Sequence, residues 1–167
     1  TIILRGNAST ADFYLDGVRD DIEYFRDLYN VDRVEVLKGP NAMIFGRAGG
    51  GGVVNRVTRQ AQWDTQREVS LQGGSWDNRR ATFDFGDGLT DTVAARVTGM
   101  YEDSDSYRDG VELERVGVNP TAAIHIGEDT QLRLSYEYYD YDRTADRGIP
   151  SLDGRPFQTN ESTFFGD

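Results

Sequence analysis

His125 is the only histidine in this 167-residue chain, and there is no cysteine. Those two facts remove the usual zinc ligand sets, disulfides and thiol nucleophiles together. His125 alternates with Ile124 and Ile126, which puts it on the polar face of a strand-like run. Carboxylates are abundant, with 29 Asp and Glu in all. Acid-pair hydrolysis needs two of them in one pocket, and no spacing here places two together. Asp103, Asp105, Tyr107, Asp109 and Glu114 imitate a calcium loop. Counted from Asp103, Arg108 stands where that loop needs glycine; counted from Asp105, Gly110 fits but Val116 ends it. A solvated charge run is the ordinary reading, with calcium left open. Gly46-Arg47-Ala48-Gly49-Gly50-Gly51-Gly52 lacks the Gly-Lys-Ser/Thr ending of a phosphate loop, and a strand rather than a helix follows. What remains is arginine, because only Lys38 among the 18 cations is a lysine. Guanidinium suits buried ion pairs and two-point recognition of anionic oxygens. The chain reads as a binder and not an enzyme.

Composition narrows the setting of those residues. The formal net charge of −11 makes nucleic acid an unsuitable partner, since phosphate binding needs a cationic footprint. Aromatic residues make up 11% of the chain, too large an apolar payload for a disordered tail. No stretch approaches the roughly 18 consecutive apolar residues of a membrane helix. A β-barrel span stays open, because only alternate residues face lipid and mean hydropathy, −0.62 here, stays low. Thr1 opens directly into an apolar run with no initiator Met or leader pattern, so the sequence reads as a piece of a longer chain.

The elements that must position the arginines differ between two parts. Residues 1–62 mix short strands, glycine turns and a candidate helix at 21–30, and read as a small α+β domain. Arg33-Val34-Glu35-Val36-Leu37 alternates with period two and stops at Gly39-Pro40. Asn41 suits the cap of a brief helical turn through Phe45, and a strand follows at 53–57. Residues 63–167 show long two-residue alternation instead. Val69 and Leu71 share a face, as do Ala81, Phe83 and Phe85, then Val93 to Tyr101, Val116 to Ile126, and Leu132 to Tyr138. Five strands of roughly ten residues match a tilted bilayer span. Tight turns at 87–91 and 127–130 alternate with longer polar connections at 103–110 and after 142, the habit of outer-membrane barrels. Tyr101, Tyr136 and Tyr138 lie toward the long-loop ends, where an aromatic girdle belongs. A soluble antiparallel sheet with one face on a core is the rival.

Asp32-Arg33-Val34-Glu35-Val36-Leu37-Lys38-Gly39-Pro40, then Ile44-Phe45-Gly46-Arg47 and Gly51-Gly52-Val53-Val54-Asn55, closely resemble the plug domain of TonB-dependent outer-membrane receptors, in the ferric-siderophore branch. The likeness extends through Phe13-Tyr14-Leu15-Asp16-Gly17-Val18-Arg19-Asp20 and through Gly74-Ser75-Trp76-Asp77-Asn78-Arg79-Arg80. Arg147-Gly148-Ile149-Pro150 resembles a loop of catecholate-type receptors. The chain departs from the pattern at Phe45, Gly50 and Asn7, where the family often has Tyr, Pro and Phe.

The resemblance implies an α+β plug domain followed by antiparallel transmembrane strands, part of a 22-stranded plugged barrel. Residues 1–62 become the C-terminal part of the plug, and 63–167 about the first five strands. It implies import of a ferric siderophore across the outer membrane of a Gram-negative bacterium, amid lipid and lipopolysaccharide. The TonB–ExbB–ExbD complex acts through a segment absent from this chain. Iron arrives as the siderophore chelate, so no cofactor and no protein metal ligand is expected. Flat anionic chelates suit guanidinium and aromatic rings, which points to Arg5, Tyr24, Arg26 and Tyr29 at the plug apex, with Arg19 and Phe25 behind them. Tyr107, Arg108 and Arg147 belong to loops that close over the ligand. Arg33, Glu35, Arg47 and Asn55 are expected to hold the plug to the wall by polar contacts. Gly39, Pro40, Gly46, Gly51 and Gly52 are expected to shape its turns. The alternatives are a receptor for another nutrient, such as a cobalamin or a glycan, and a surface β-rich binding or adhesion module.

Overall fold

The computed structural model describes residues 13–20, 26–39, 42, 45 and 52–166, together with the backbone pairing of 3–4 with 7–8. The chain forms two compact units, Thr1–Gln60 and Ala61–Asp167.

In the first unit β1 (Ile3–Leu4) pairs antiparallel with β2 (Asn7–Ala8). Four further strands form one sheet: β3 (Phe13–Leu15), β4 (Val18–Arg19), β5 (Val31–Leu37) and β6 (Val53–Thr58), in the order β4-β3-β6-β5. Asp16 and Gly17 both take positive φ, the two-residue turn that matches the twist of a hairpin. That turn is fastened to β6. The Asp16 carboxylate accepts from the Thr58 amide at 2.7 Å and its hydroxyl at 2.6 Å. The Gly17 amide donates to Asn55 Oδ1 at 3.1 Å. The core is small: Tyr14, Ala42 and Val53 are buried, with Leu37 and Phe45 against them. Tyr14 meets Phe45 edge-on at 4.7 Å and donates its hydroxyl to the Phe45 carbonyl, so its polar end is satisfied. Of the expected helix at 21–30, the described residues 26–30 are coil and turn. Asp27 explains part of this, because its carboxylate accepts from the Tyr29 amide two residues on, a local bond that competes with helix. Gly39, Ala42 and Phe45 have 3-10 conformation, consistent with a brief helical turn; Asn41 lies outside the described residues.

The second unit is one antiparallel sheet with a small appended hairpin. Its strands are β7 (Gln66–Gly73), β8 (Arg79–Gly88), β9 (Val93–Asp105), β10 (Glu112–Ile126), β11 (Thr130–Ser135) and β12 (Tyr138–Arg143). Each pairs with its sequence neighbour from β7 to β10, and β11 and β12 lie along β10 in a single register. The interruption between them sits opposite Pro120. Proline has no N–H to give the Tyr136 carbonyl, and Asn119 Nδ2 takes its place at 2.7 Å. β13 (Ser151–Leu152) and β14 (Arg155–Pro156) form the hairpin around Asp153-Gly154, again with positive φ.

Strands β9 and β10, 13 and 15 residues long, exceed the expected ten. Asp103 to Asp105, read from sequence as loop, and Glu112 to Glu114 continue the ladder, with Asp105 opposite Glu112. Backbone pairing is indifferent to side-chain charge there. The faces are the sheet's main feature. Asp84, Thr98, Glu102, Asn119 and Thr121 are buried on one side. Val69, Leu71, Phe83, Phe85, Val116, Ile126, Leu132 and Leu134 are exposed on the other. Tyr101 lies toward the loop end of that face, beside Val116, whereas Tyr138, opposite Val118, and Tyr136, opposite Pro120, lie within it; all three are exposed. Phe83 lies across Gly99 opposite, where an added Cβ would meet its ring at 2.3 Å. The sheet is inside out by the standard of a water-soluble protein.

Candidate functional site

In the first unit the structure joins several of the singled-out residues to one another. Arg33 Nε donates to Glu35 Oε1 at 2.9 Å, and Asn55 Nδ2 donates to Glu35 Oε2 at 2.9 Å. Asn55 in turn holds the Gly17 amide, so the chain Arg33–Glu35–Asn55–Gly17 ties β5, β6 and the β3–β4 turn. The bonds from Asn55 and then Arg33 lower the Glu35 pKa from its ordinary value, and those to Glu35 and Asp32 raise that of Arg33. Arg33 stays largely exposed while Asn55 is buried. Arg26 has a different fate. Its Nη2 lies 2.6 Å from Asp20 Oδ2, and Arg56 reaches the same oxygen at 2.7 Å. All three side chains are mostly buried, as is Tyr29. Arg19 stands exposed on β4. Gly39 has φ +63°. Gly52 has φ +134°, and a Cβ there would meet the Leu37 carbonyl oxygen at 2.7 Å, so the backbone approach requires glycine. Arg5, Tyr24, Phe25, Pro40, Gly46, Arg47 and Gly51 lie outside the described residues.

In the second unit the buried polar face carries ion pairs set by strand register. Arg80, Glu102 and Arg115 occupy one row across β8, β9 and β10. Arg115 Nη2 lies 2.6 Å from Glu102 Oε2, and Arg80 bonds the same oxygen. Arg96 grips Asp84 with two bonds, Nε to Oδ1 at 2.8 Å and Nη2 to Oδ2 at 2.6 Å. The sequence analysis did not single these residues out. The available signal was the alternation of Arg with Asp or Glu at even spacing within β8 and β9, which a water-facing sheet has no need to bury. At the loop end, Arg108 is buried and bonds Asp146 Oδ1 at 3.0 Å, whereas Arg147 next to it is exposed. No helix among the described residues is long and apolar enough to cross a membrane, a test that does not address strands.

Comparison with known proteins decides between a soluble sheet and a barrel wall. The family described as TonB-dependent Receptor Plug Domain matches residues 1–53. The catecholate siderophore receptor Fiu of Escherichia coli K12 is 36% identical over 152 residues, 90% of this chain and 20% of the relative. The chain is similar to TonB-dependent receptors along most of its length. A probable TonB-dependent siderophore receptor, PiuA of Acinetobacter baumannii, is 30% identical over 98% of the chain and 23% of its own length. Among solved structures, PiuA superimposes with a TM-score of 0.88 at 28% identity, over 98% of this chain and 24% of that one. The E. coli ferric-catecholate import receptor Fiu, in its open form, gives 0.82 at 36% identity, over 89% and 23%. The chain spans about a fifth of the length of the curated relatives it matches. The fold is therefore that of a TonB-dependent receptor plug followed by antiparallel barrel strands, and these relatives are named as transport receptors.

Proposed function

We propose that this chain is part of an outer-membrane receptor that imports a ferric siderophore of the catecholate type with energy from the TonB system. The observation that carries the reading is the inverted sheet of 66–143, apolar outward and charged inward, following a plug-family sequence. From Val116 to Ile126 the outward positions of β10 are apolar. Ten steps of about 3.4 Å at a tilt of about 45° rise roughly 24 Å, the height of an outer-membrane apolar band. Residues 1–62 serve as plug and 63–167 as wall and loops, with lipid and lipopolysaccharide against the outward face. TonB–ExbB–ExbD acts through a segment outside this chain. The receptor carries its iron inside the siderophore and has no resident cofactor or catalytic group.

The site residues divide by what surrounds them. Arg5, Arg19, Tyr24, Phe25 and Arg147 are the proposed ligand contacts. Arg26 and Tyr29 support them from within the plug, since Arg26 shares Asp20 with Arg56. Arg33, with an exposed guanidinium bonded to Glu35, and Arg47 are the proposed contacts with the wall. Gly39, Pro40, Gly46, Gly51 and Gly52 set the loop that carries Arg47. The test is radio-iron uptake by cells that lack their own siderophore receptors and express the full-length receptor containing this sequence. Uptake of a ferric catecholate that vanishes without functional TonB supports the reading. Correct membrane insertion with no uptake across a siderophore panel overturns it in favour of another nutrient.

A further inference from the structure

Arg108 sits in the β9–β10 loop, where an arginine would ordinarily extend into solvent, yet its side chain is only 9% exposed. Three contacts hold it. Its Nε donates to the Tyr107 hydroxyl at 3.1 Å, its guanidinium carbon lies 5.4 Å from the Tyr107 ring centre, and its Nη1 donates to Asp146 Oδ1 at 3.0 Å. That Asp146 oxygen also accepts from the Gly148 amide at 2.8 Å. One carboxylate oxygen therefore closes the turn around Arg147 and anchors it to the neighbouring loop. Gly148 takes φ +84°, which the turn requires. The two loops are stitched at further points: the Asp109 amide donates to the Ser162 carbonyl at 2.9 Å, and the Thr144 hydroxyl to the Gly110 carbonyl at 3.2 Å. Tyr107 is itself braced edge-on by Trp76 of the β7–β8 loop at 6.4 Å. Arg147 is exposed and has no ion-pair partner among the described residues.

We infer that Arg108 is a positioning residue for ligand capture: through Asp146 it fixes the turn that presents Arg147 to an anionic chelate. This rests on the proposed role of Arg147 as a ligand contact. The sequence reading put Arg108 over the ligand; its burial against Tyr107 and Asp146 removes it from direct contact. A guanidinium whose loop is already ordered loses less freedom on binding, and that saving is expressed as affinity.

The test is a double-mutant cycle on the full-length receptor in detergent. Tryptophan fluorescence reads binding of the anionic ferric complex of a synthetic tris-catecholate. Arg147→Gln should weaken binding roughly tenfold, the scale of a lost charge-assisted hydrogen bond. Arg108→Gln should weaken it by roughly three- to tenfold in the parent and leave affinity unchanged in the Arg147→Gln background. Asp146→Asn, which keeps an oxygen for the Gly148 amide but loses the charge facing Arg108, should behave like Arg108→Gln. A loss in Arg108→Gln that persists undiminished without Arg147 would show a general loop role and overturn the inference. So would full affinity in both Arg108→Gln and Asp146→Asn while Arg147→Gln is impaired. No loss in Arg147→Gln overturns the underlying ligand assignment, and the inference with it.

Discussion

The two units share a two-residue alternation and differ in what their strands bury. In the first unit the buried cluster is apolar: Val53 is fully buried with Tyr14 and Ala42, while Val34 and Val36 of β5 stay exposed. In the sheet of 66–143 the charged residues turn inward, and valine, leucine and phenylalanine face out. Local pattern thus specifies strand and register, while the medium on each face decides which side is inside. A soluble sheet exposing that apolar face and two open edges would aggregate. A barrel wall removes both liabilities, because lipid covers the face and closure pairs the edges.

The largest difference should lie between a buried ion pair of the sheet and an exposed one of the first unit. Asp84 and Arg96 are paired by two bonds with side chains 5% and 13% exposed. Asp84→Ala removes the carboxylate that grips a buried guanidinium and should cost about 3–5 kcal/mol of barrel stability in urea unfolding from liposomes. Arg33→Gln in the first unit, at an exposed pair, should leave stability within measurement error. Equal effects would erase the contrast.

Two residues of equal exposure give a sharper comparison. Leu134 and Val36 are each 51% exposed. Leu134→Arg puts a charge near the middle of the outward face and should cost about 2–4 kcal/mol in lipid. Val36→Arg should shift stability by less than about 0.5 kcal/mol, as water-facing substitutions do. A harmless Leu134→Arg would mean that the outward face meets water.

The smallest effect concerns pH. Glu35 has a folded pKa below its unfolded value, chiefly through the Asn55 bond and then Arg33. Its stabilisation is therefore complete above the unfolded carboxylate range and is lost as pH falls through the lowered folded value. Hydrogen exchange on β5 and β6 should show protection declining on acidification in the parent, and a flatter profile in Glu35→Gln. An unchanged profile in the variant removes Glu35 as the cause.

Much of this architecture was legible. Val69 to Tyr138 alternate cleanly, and the turns at 87–91 and 127–130 fall where glycine and aspartate mark them. The ends of β9 and β10 were not legible, because Asp103, Asp105, Glu112 and Glu114 look like loop while their backbone stays paired. Pro120 has no N–H to give its partner strand, and only the structure shows Asn119 supplying the missing donor. Arg26 and Arg108 looked like free cations: Arg108 pairs with Asp146, far along the chain, and Arg26 meets an Asp20 that also takes the distant Arg56. Arginine type signals anion recognition, but not whether the anion belongs to the protein or to a ligand.

The most direct test of the inverted sheet uses the absence of native cysteine in this chain. Single cysteines from 116 to 124 on β10 of the full-length receptor, spin-labelled in liposomes, report collisions with oxygen dissolved in lipid and with a water-soluble nickel complex. The account predicts high oxygen accessibility at 116, 118, 122 and 124 and low values at 117, 119, 121 and 123. Equal nickel accessibility at 116, 118, 122 and 124, with no two-residue period in oxygen, would contradict it.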